Sequence, residues 1–282
     1  MHARILGPLE LEINGVVSTP SAPKPRKVLS LLVLHANHVV PVSSLKRELW
    51  DEEPPASAAT TIQTYILGLR KLFDHALHGV RATAKDLLTT RPGGYMLRLS
   101  DGGLDLYDFE QLFAKGRQEL VRGNCEAASR ALRAALALWR GPAFCDVQHG
   151  PLLEMESLRV EESRIAALEQ RIEADLRLGR HHELISELTS LARELPLHEN
   201  VHAQLMLALY RSGRKPHALD VYQRLRSRFI DELGLDPSQQ MYRLHQAIIV
   251  SDPSLDAEQV SHTLLLDRFA TEDRLAIETA IF

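Results

Sequence analysis

Two stretches of the sequence hold residue types whose spacing suits chemistry or recognition. His198-Glu199-Asn200-Val201-His202 fits HExxH, the spacing that sets two histidines on one face of a helix to bind zinc, with the glutamate as general base. Pro196 stands two residues ahead, which puts the pattern on the first turn of a helix, and no third ligand is clearly placed. A five-residue pattern with two free positions recurs by chance, so zinc-dependent proteolysis is not expected. His181-His182, His75 and His78 read as surface or helix-end histidines. Cys125 and Cys145 form neither a CxxC pair nor a His/Cys cluster, and no GxxxxGK phosphate loop occurs. The expectation is a protein that is not an enzyme and takes no metal or cofactor.

The second stretch, Thr60 to Lys71, suits DNA. Ile62, Tyr65, Ile66, Leu69, Leu72 and Phe73 follow the 3.6-residue period of an amphipathic helix. The opposite side carries Thr60, Gln63, Thr64, Leu67, Arg70 and Lys71. Glutamine pairs with adenine through two hydrogen bonds, threonine bonds a base edge or touches a thymine methyl, and leucine makes apolar contacts only. Thr60, Gln63, Thr64 and Leu67 are therefore the candidate base contacts. Arg70 and Lys71, toward the helix end, suit phosphates, which add affinity without reading sequence. A solvated helix face would show the same polarity, so the neighbouring elements decide.

Those neighbours outline a winged helix. Leu9-Glu10-Leu11-Glu12-Ile13 alternates, and Asn14-Gly15 followed by Val16-Val17 signals a small antiparallel sheet. A first helix follows Pro25 and stops near Asn37; Ser43 or Ser44 caps a second, which ends before Pro54-Pro55; the third begins after Ser57. Leu87 to Thr90 and Tyr95 to Leu99, joined by Pro92-Gly93-Gly94, read as a closing hairpin whose Arg91 could reach a minor groove.

Beyond Gly103 the chain reads as helices with a hidden repeat. Gly123, Gly179 and Gly213 each end a helical pattern, and each is followed five and nine positions later by small or apolar residues: Ala128 and Leu132, Leu184 and Leu188, Ala218 and Tyr222. The interval from Gly179 to Gly213 matches the tetratricopeptide period, whereas the longer one before it contains an insertion around Trp139 to Pro151. The fold class is thus α+β, a winged helix-turn-helix over 1–100, followed by an all-α tetratricopeptide-like domain over 104–250. Residues 251–282 form a tail of short helices or partial disorder.

Charge divides the same way. Residues 1–100 hold 12 Lys and Arg against 8 Asp and Glu, and residues 101–282 hold 21 against 29. A basic first part suits a polyanion, and an acidic remainder is repelled by it. No apolar run approaches the roughly 18 residues of a membrane helix, and Glu10 interrupts the N-terminal apolar stretch, so a cytoplasmic protein without membrane contact is expected.

Thr60-Thr61-Ile62-Gln63-Thr64-Tyr65-Ile66, then Leu69-Arg70-Lys71-Leu72-Phe73, resembles the recognition helix of the antibiotic regulatory protein (SARP) family of actinobacterial activators, whose first domain is an OmpR-type winged helix. The wing Thr90-Arg91-Pro92-Gly93-Gly94-Tyr95 is similar as well. Ala135 to Gly141, Leu152 through Arg159, Leu178-Gly179-Arg180-His181, Leu207 to Arg214 and Glu232 to Pro237 resemble that family's bacterial transcriptional activation domain. The resemblance runs over residues 3 to 250. It implies an activator of antibiotic or other secondary-metabolite genes that binds direct repeats near a promoter −35 region, pairs on DNA, and contacts RNA polymerase with its sigma factor. It also marks Thr61, Tyr65, Arg70, Lys71 and Arg91 as expected phosphate or wing contacts. Leu67 and Gly68 depart from the larger or polar side chains common in relatives, so the base preference does not transfer. A helical-repeat interaction scaffold, or a repressor with the same DNA contacts, fits the same residues.

Overall fold

The computed structural model describes residues 1–79, 81–100, 102–256 and 265–268. The chain packs into two compact units, residues 1–112 with 135–165, and residues 113–134 with 166–282.

The first unit opens on an antiparallel meander of β1 (His2–Arg4), β2 (Glu10–Ile13) and β3 (Val16–Val17). Asn14 and Gly15 turn between the last two with φ of 56° and 78°, the left-handed pair that a two-residue hairpin with primed twist requires. Alternation sends Leu11 and Ile13 into the core and leaves Glu10 and Glu12 beside Arg4, at 2.9 and 3.8 Å. Just past β1 the chain is held from far away in sequence, because the buried Asp105 carboxylate accepts the Ile5 and Leu6 amides at 2.9 and 3.1 Å. Burial pushes the Asp105 pKa up, and those hydrogen bonds with the Arg140 charge pull against it.

Helix α1 (Pro23–Leu34) starts two residues before the expected Pro25, and both prolines sit in the first turn, where a missing N–H leaves no helical bond unmade. It is buried continuously from Lys27 to Leu34. β4 (Val40–Pro41) then runs directly into α2 (Val42–Trp50). Ser43 and Ser44, expected as caps, lie inside that helix. Pro41 holds the cap position while pairing with Gly94, so the sheet rather than a hydroxyl sets the helix start. In α3 (Ala58–Ala76) Ser57 occupies the cap position, but its side chain makes no capping bond; its carbonyl instead accepts the Thr61 amide and hydroxyl. A short α4 (Ala84–Leu87), closed by a Thr83–Asp86 capping box, leads into the hairpin of β5 (Leu88–Arg91) and β6 (Gly94–Leu97). The second sheet has the order β4-β6-β5, all antiparallel. β4 and β6 approach so closely at Gly94 that an added Cβ would stand 2.2 Å from the Val40 carbonyl oxygen.

The rest of the described chain is helical: α5 (Asp105–Val121), α6 (Cys125–Leu136), α7 (Pro151–Arg177), α8 (His181–Glu194), α9 (Glu199–Arg211), α10 (Lys215–Leu233), α11 (Gln239–Val250), a 3-10 turn at Pro253–Leu255, and α12 (Leu265–Arg268). Gly123, Gly179 and Gly213 follow α5, α7 and α9 at φ of 80°, 74° and 73°, the left-handed exit that frees the chain from a helix. The six spaced residues after them are all buried, with Ala128, Leu132, Leu188 and Ala218 at 0% exposure. The long first interval contains the non-helical stretch between α6 and α7 where the insertion was expected. In the second unit, α9 lies against both α8 and α10, and Val201, Met206 and Leu207 join Leu188, Val221, Leu244 and Ile248 in one core. Of the expected tail, 257–264 and 269–282 lie outside the described residues.

His202 and His245 are both buried in this second unit, and burial lowers their pKa from the ordinary 6.5. Burial does the same to His35 in the first unit. Each ring takes its proton at a lower pH when folded than when unfolded, so below pH 6.5 the unfolded chain binds more protons. The stability they contribute is therefore present above that pH and is lost as pH falls toward the depressed folded values. Urea midpoints are expected to be lower at pH 5.5 than at pH 7.5, and His245→Gln is expected to narrow the gap; an equal gap in the variant would remove His245 from the account.

Candidate nucleic-acid interface

Helix α3 has two faces. Ala58, Ile62, Ile66, Leu69, Phe73 and Ala76 are buried, and Thr60, Gln63, Thr64, Leu67 and Lys71 are exposed on the opposite side. Leu67 is 56% exposed, which leaves its methyls free for contact with a thymine methyl. The Thr64 hydroxyl donates to the Thr60 carbonyl at 3.1 Å and Thr61 to Ser57 at 3.0 Å, so both side chains are held and keep lone pairs for a donor. Thr61 and Tyr65 are half-buried at the margin of the exposed face.

Arg70 sits differently from Lys71. It is half-buried, and its Nε and Nη2 donate to the Leu88 carbonyl at 3.0 and 2.7 Å while Nη2 also reaches the Thr90 hydroxyl at 2.9 Å. Helix α3 and the first strand of the hairpin are thereby joined through one guanidinium. At the hairpin tip Arg91, Pro92 and Gly93 are exposed, with Gly93 at φ 76° closing the two-residue turn. Arg91 and Lys71 thus stand exposed to solvent, and Arg70 is committed to structure. The connection between α2 and α3 exposes Asp51, Glu52 and Glu53, a negative stretch that repels a polyanion. The bonds of Arg70 have no sequence signature, because their main acceptor is a backbone carbonyl eighteen residues away.

Elsewhere the HExxH residues serve ordinary ends. His198 occupies the cap position of α9, Glu199 accepts the Ser238 amide at 2.6 Å ahead of α11, and His202 Nδ1 lies 3.1 Å from the His198 carbonyl. Among the described residues no group of three or more His, Cys, Asp or Glu is placed to hold a metal ion. None of their helices is long and apolar enough to cross a membrane.

Residues 18–97 match the family described as "Transcriptional regulatory protein, C terminal", and residues 104–249 match "Bacterial transcriptional activator domain". Regulatory protein DnrI of Streptomyces peucetius is 48% identical over 257 residues, covering 91% of this chain and 94% of that protein. Transcriptional regulatory protein EmbR of Mycobacterium tuberculosis is 35% identical over 259 residues, covering 92% of this chain and 66% of the relative. A structure of Mycobacterium tuberculosis EmbR in complex with a low-affinity phosphopeptide aligns at TM-score 0.83 and 33% identity, covering 93% of this chain and 68% of that one. The winged helix followed by a helical activator domain defines a transcriptional regulator. The chain belongs to the antibiotic regulatory protein (SARP) family.

Proposed function

We propose that the chain is a cytoplasmic, sequence-specific DNA-binding activator of antibiotic or secondary-metabolite genes, with DNA reading in residues 1–100 and activation in 104–250. The exposed face of α3 beside the basic wing tip carries the reading. Gln63, Thr64, Thr60 and Leu67 enter the major groove, and Lys71 and Arg91 meet phosphates, with Thr61 and Tyr65 at the edge of the contact. Arg70 adds charge near the backbone but serves chiefly to fix the wing against the helix. Two protomers bind direct repeats roughly 10.5 base pairs apart, head to tail on one face of the duplex, near a promoter −35 region. The helical domain then holds RNA polymerase with its sigma factor; contact with DNA and polymerase through one protein makes two weak affinities reinforce each other.

Selection from a random duplex library at moderate salt, with competitor DNA, is expected to return repeated half-sites in one orientation. Recovery of no common sequence would leave the interaction scaffold, and transcription by purified polymerase separates activator from repressor. On the selected site Gln63→Ala is expected to lose about 5- to 150-fold in affinity and to relax the preference at one base pair. Lys71→Ala is expected to weaken all sequences alike and to reduce the salt slope by about 1. If both variants bind every probe like the parent, α3 is not the reading element.

Gly68 lies on the same exposed face, and an added Cβ there would meet nothing within 4 Å. A glycine inside a helix costs about 1 kcal/mol relative to alanine, so the free protein gains nothing from it. Close approach of the helix backbone to DNA accounts for its use. Gly68→Ala is expected to raise Tm by about 2–4 °C and to weaken DNA binding; a stabilised variant that binds undiminished would refute the close approach.

A further inference from the structure

Within the second unit, residues of α8, α9 and α10 line an open groove of about 650 Å³. Its floor is α9, where His202 and Leu205 are 7% and 4% exposed. One wall brings Arg193 from α8, and the other brings Arg224 and Arg228, one turn apart on α10. His202 donates through Nδ1 to the His198 carbonyl, which leaves Nε2 without a hydrogen bond among the described residues. Burial lowers the pKa of this ring, and the charges of Arg228 and Arg224 add to the effect, so both guanidiniums stand within Coulombic reach of the floor. Their present partners are Asp220 at 2.9 Å and Glu232 at 3.2 Å, each one turn away on the same helix. Such exposed pairs are weak and screened, and an incoming carboxylate competes with them readily.

Size and polarity narrow the occupant. The α10 wall from Val221 to Glu232 extends about 16 Å at 1.5 Å per residue, the length of about five residues of extended chain. A single small anion would use a fraction of it. Half-buried Ala192 and Pro196, with Leu205 of the floor beside them, line an apolar strip next to the cations, and Asp231 and Glu232 reverse the charge at one end. We propose that this groove docks a segment of a partner protein in which acidic residues alternate with apolar ones, its carboxylates on Arg193, Arg224 and Arg228 and its apolar side chains on the strip. This assignment concerns the helical unit alone and does not depend on which sequence α3 reads.

The test uses the full chain and a fluorescein-labelled octapeptide alternating leucine with aspartate, followed by anisotropy, with an asparagine counterpart as control. The aspartate peptide is expected to bind saturably and at least about tenfold more tightly than the control. R224E/R228E, at positions 69% and 47% exposed and so tolerant of change, is expected to weaken it at least about tenfold while retardation of the selected duplex stays as in the parent. R193E is expected to act in the same direction. Equal binding of both peptides, no saturable binding up to about 1 mM, or a loss caused by Lys71→Glu instead of by R224E/R228E would each overturn the proposal.

Discussion

Asp175→Ala is expected to destabilise the second unit by about 3–5 kcal/mol, the range seen when one partner of a buried ion pair is removed. Asp175 is 0% exposed, and each of its oxygens carries two bonds. Oδ1 accepts from the Ser129 hydroxyl at 2.7 Å and from Arg180 at 2.9 Å; Oδ2 accepts from Arg133 at 2.6 Å and from Arg171 at 3.2 Å. Arg171 is itself 4% exposed, and Glu187 becomes its remaining anionic partner when Asp175 is gone. The alanine side chain strands the Arg171 cation and the Ser129 hydroxyl away from water, whereas the exposed Arg133 and Arg180 can turn outward. Arg133→Ala, at a position 52% exposed, is accordingly expected to cost under about 1 kcal/mol. Urea unfolding followed in the helical unit checks both. If the two variants unfold at the same midpoint, the carboxylate is not the anchor.

Glu48→Ala is expected to loosen the first turn of α7 and nothing comparable in α9. Glu48 is 1% exposed on α2, and its carboxylate accepts the Gly150 amide at 2.6 Å, Leu152 at 2.9 Å and Leu153 at 3.1 Å. A helix start leaves amides without helical partners, and a negative charge there also meets the positive end of the helix dipole. The cap comes from a residue about a hundred positions away. Orphaning three amides, each worth about 1–3 kcal/mol when buried, exceeds what the adjacent loop could recover. Hydrogen exchange at Leu152 and Leu153 is expected to accelerate about 100-fold, or about 2.7 kcal/mol, with Glu48→Gln in between. Unchanged protection at those two amides would sink the assignment.

Neither of these two carboxylates announces itself in the sequence. Glu48 stands among the apolar Leu45 and Leu49 of an ordinary amphipathic helix, and Asp175 looks like one acid among many on a charged helix. Their importance comes from partners brought together only by tertiary packing, and periodicity says nothing about that. The repeat was legible because it is periodic: three glycines and the small residues at fixed distances behind them record a geometry that recurs. The exposed face of α3 was legible for the same reason, since the residues opposite Ile62, Ile66 and Phe73 must face outward. Ser43 and Ser44 misled because a local capping rule competed with a strand pairing, Pro41 with Gly94, that local sequence does not reveal. Arg70 looked like Lys71 on the wheel, and the roughly 100° by which neighbouring residues differ in facing gave it the hairpin as partner.

The bond from Arg70 to the Leu88 carbonyl acts as a ruler between the face proposed to read letters and the wing proposed to grip beside them. Its acceptor is backbone, so its length is indifferent to which side chains occupy the reading face. On that proposal, exchange of Thr60, Gln63, Thr64 or Leu67 is expected to rewrite the word recognised without altering the width of the footprint, so that new target sequences become reachable by single substitutions that leave the frame intact.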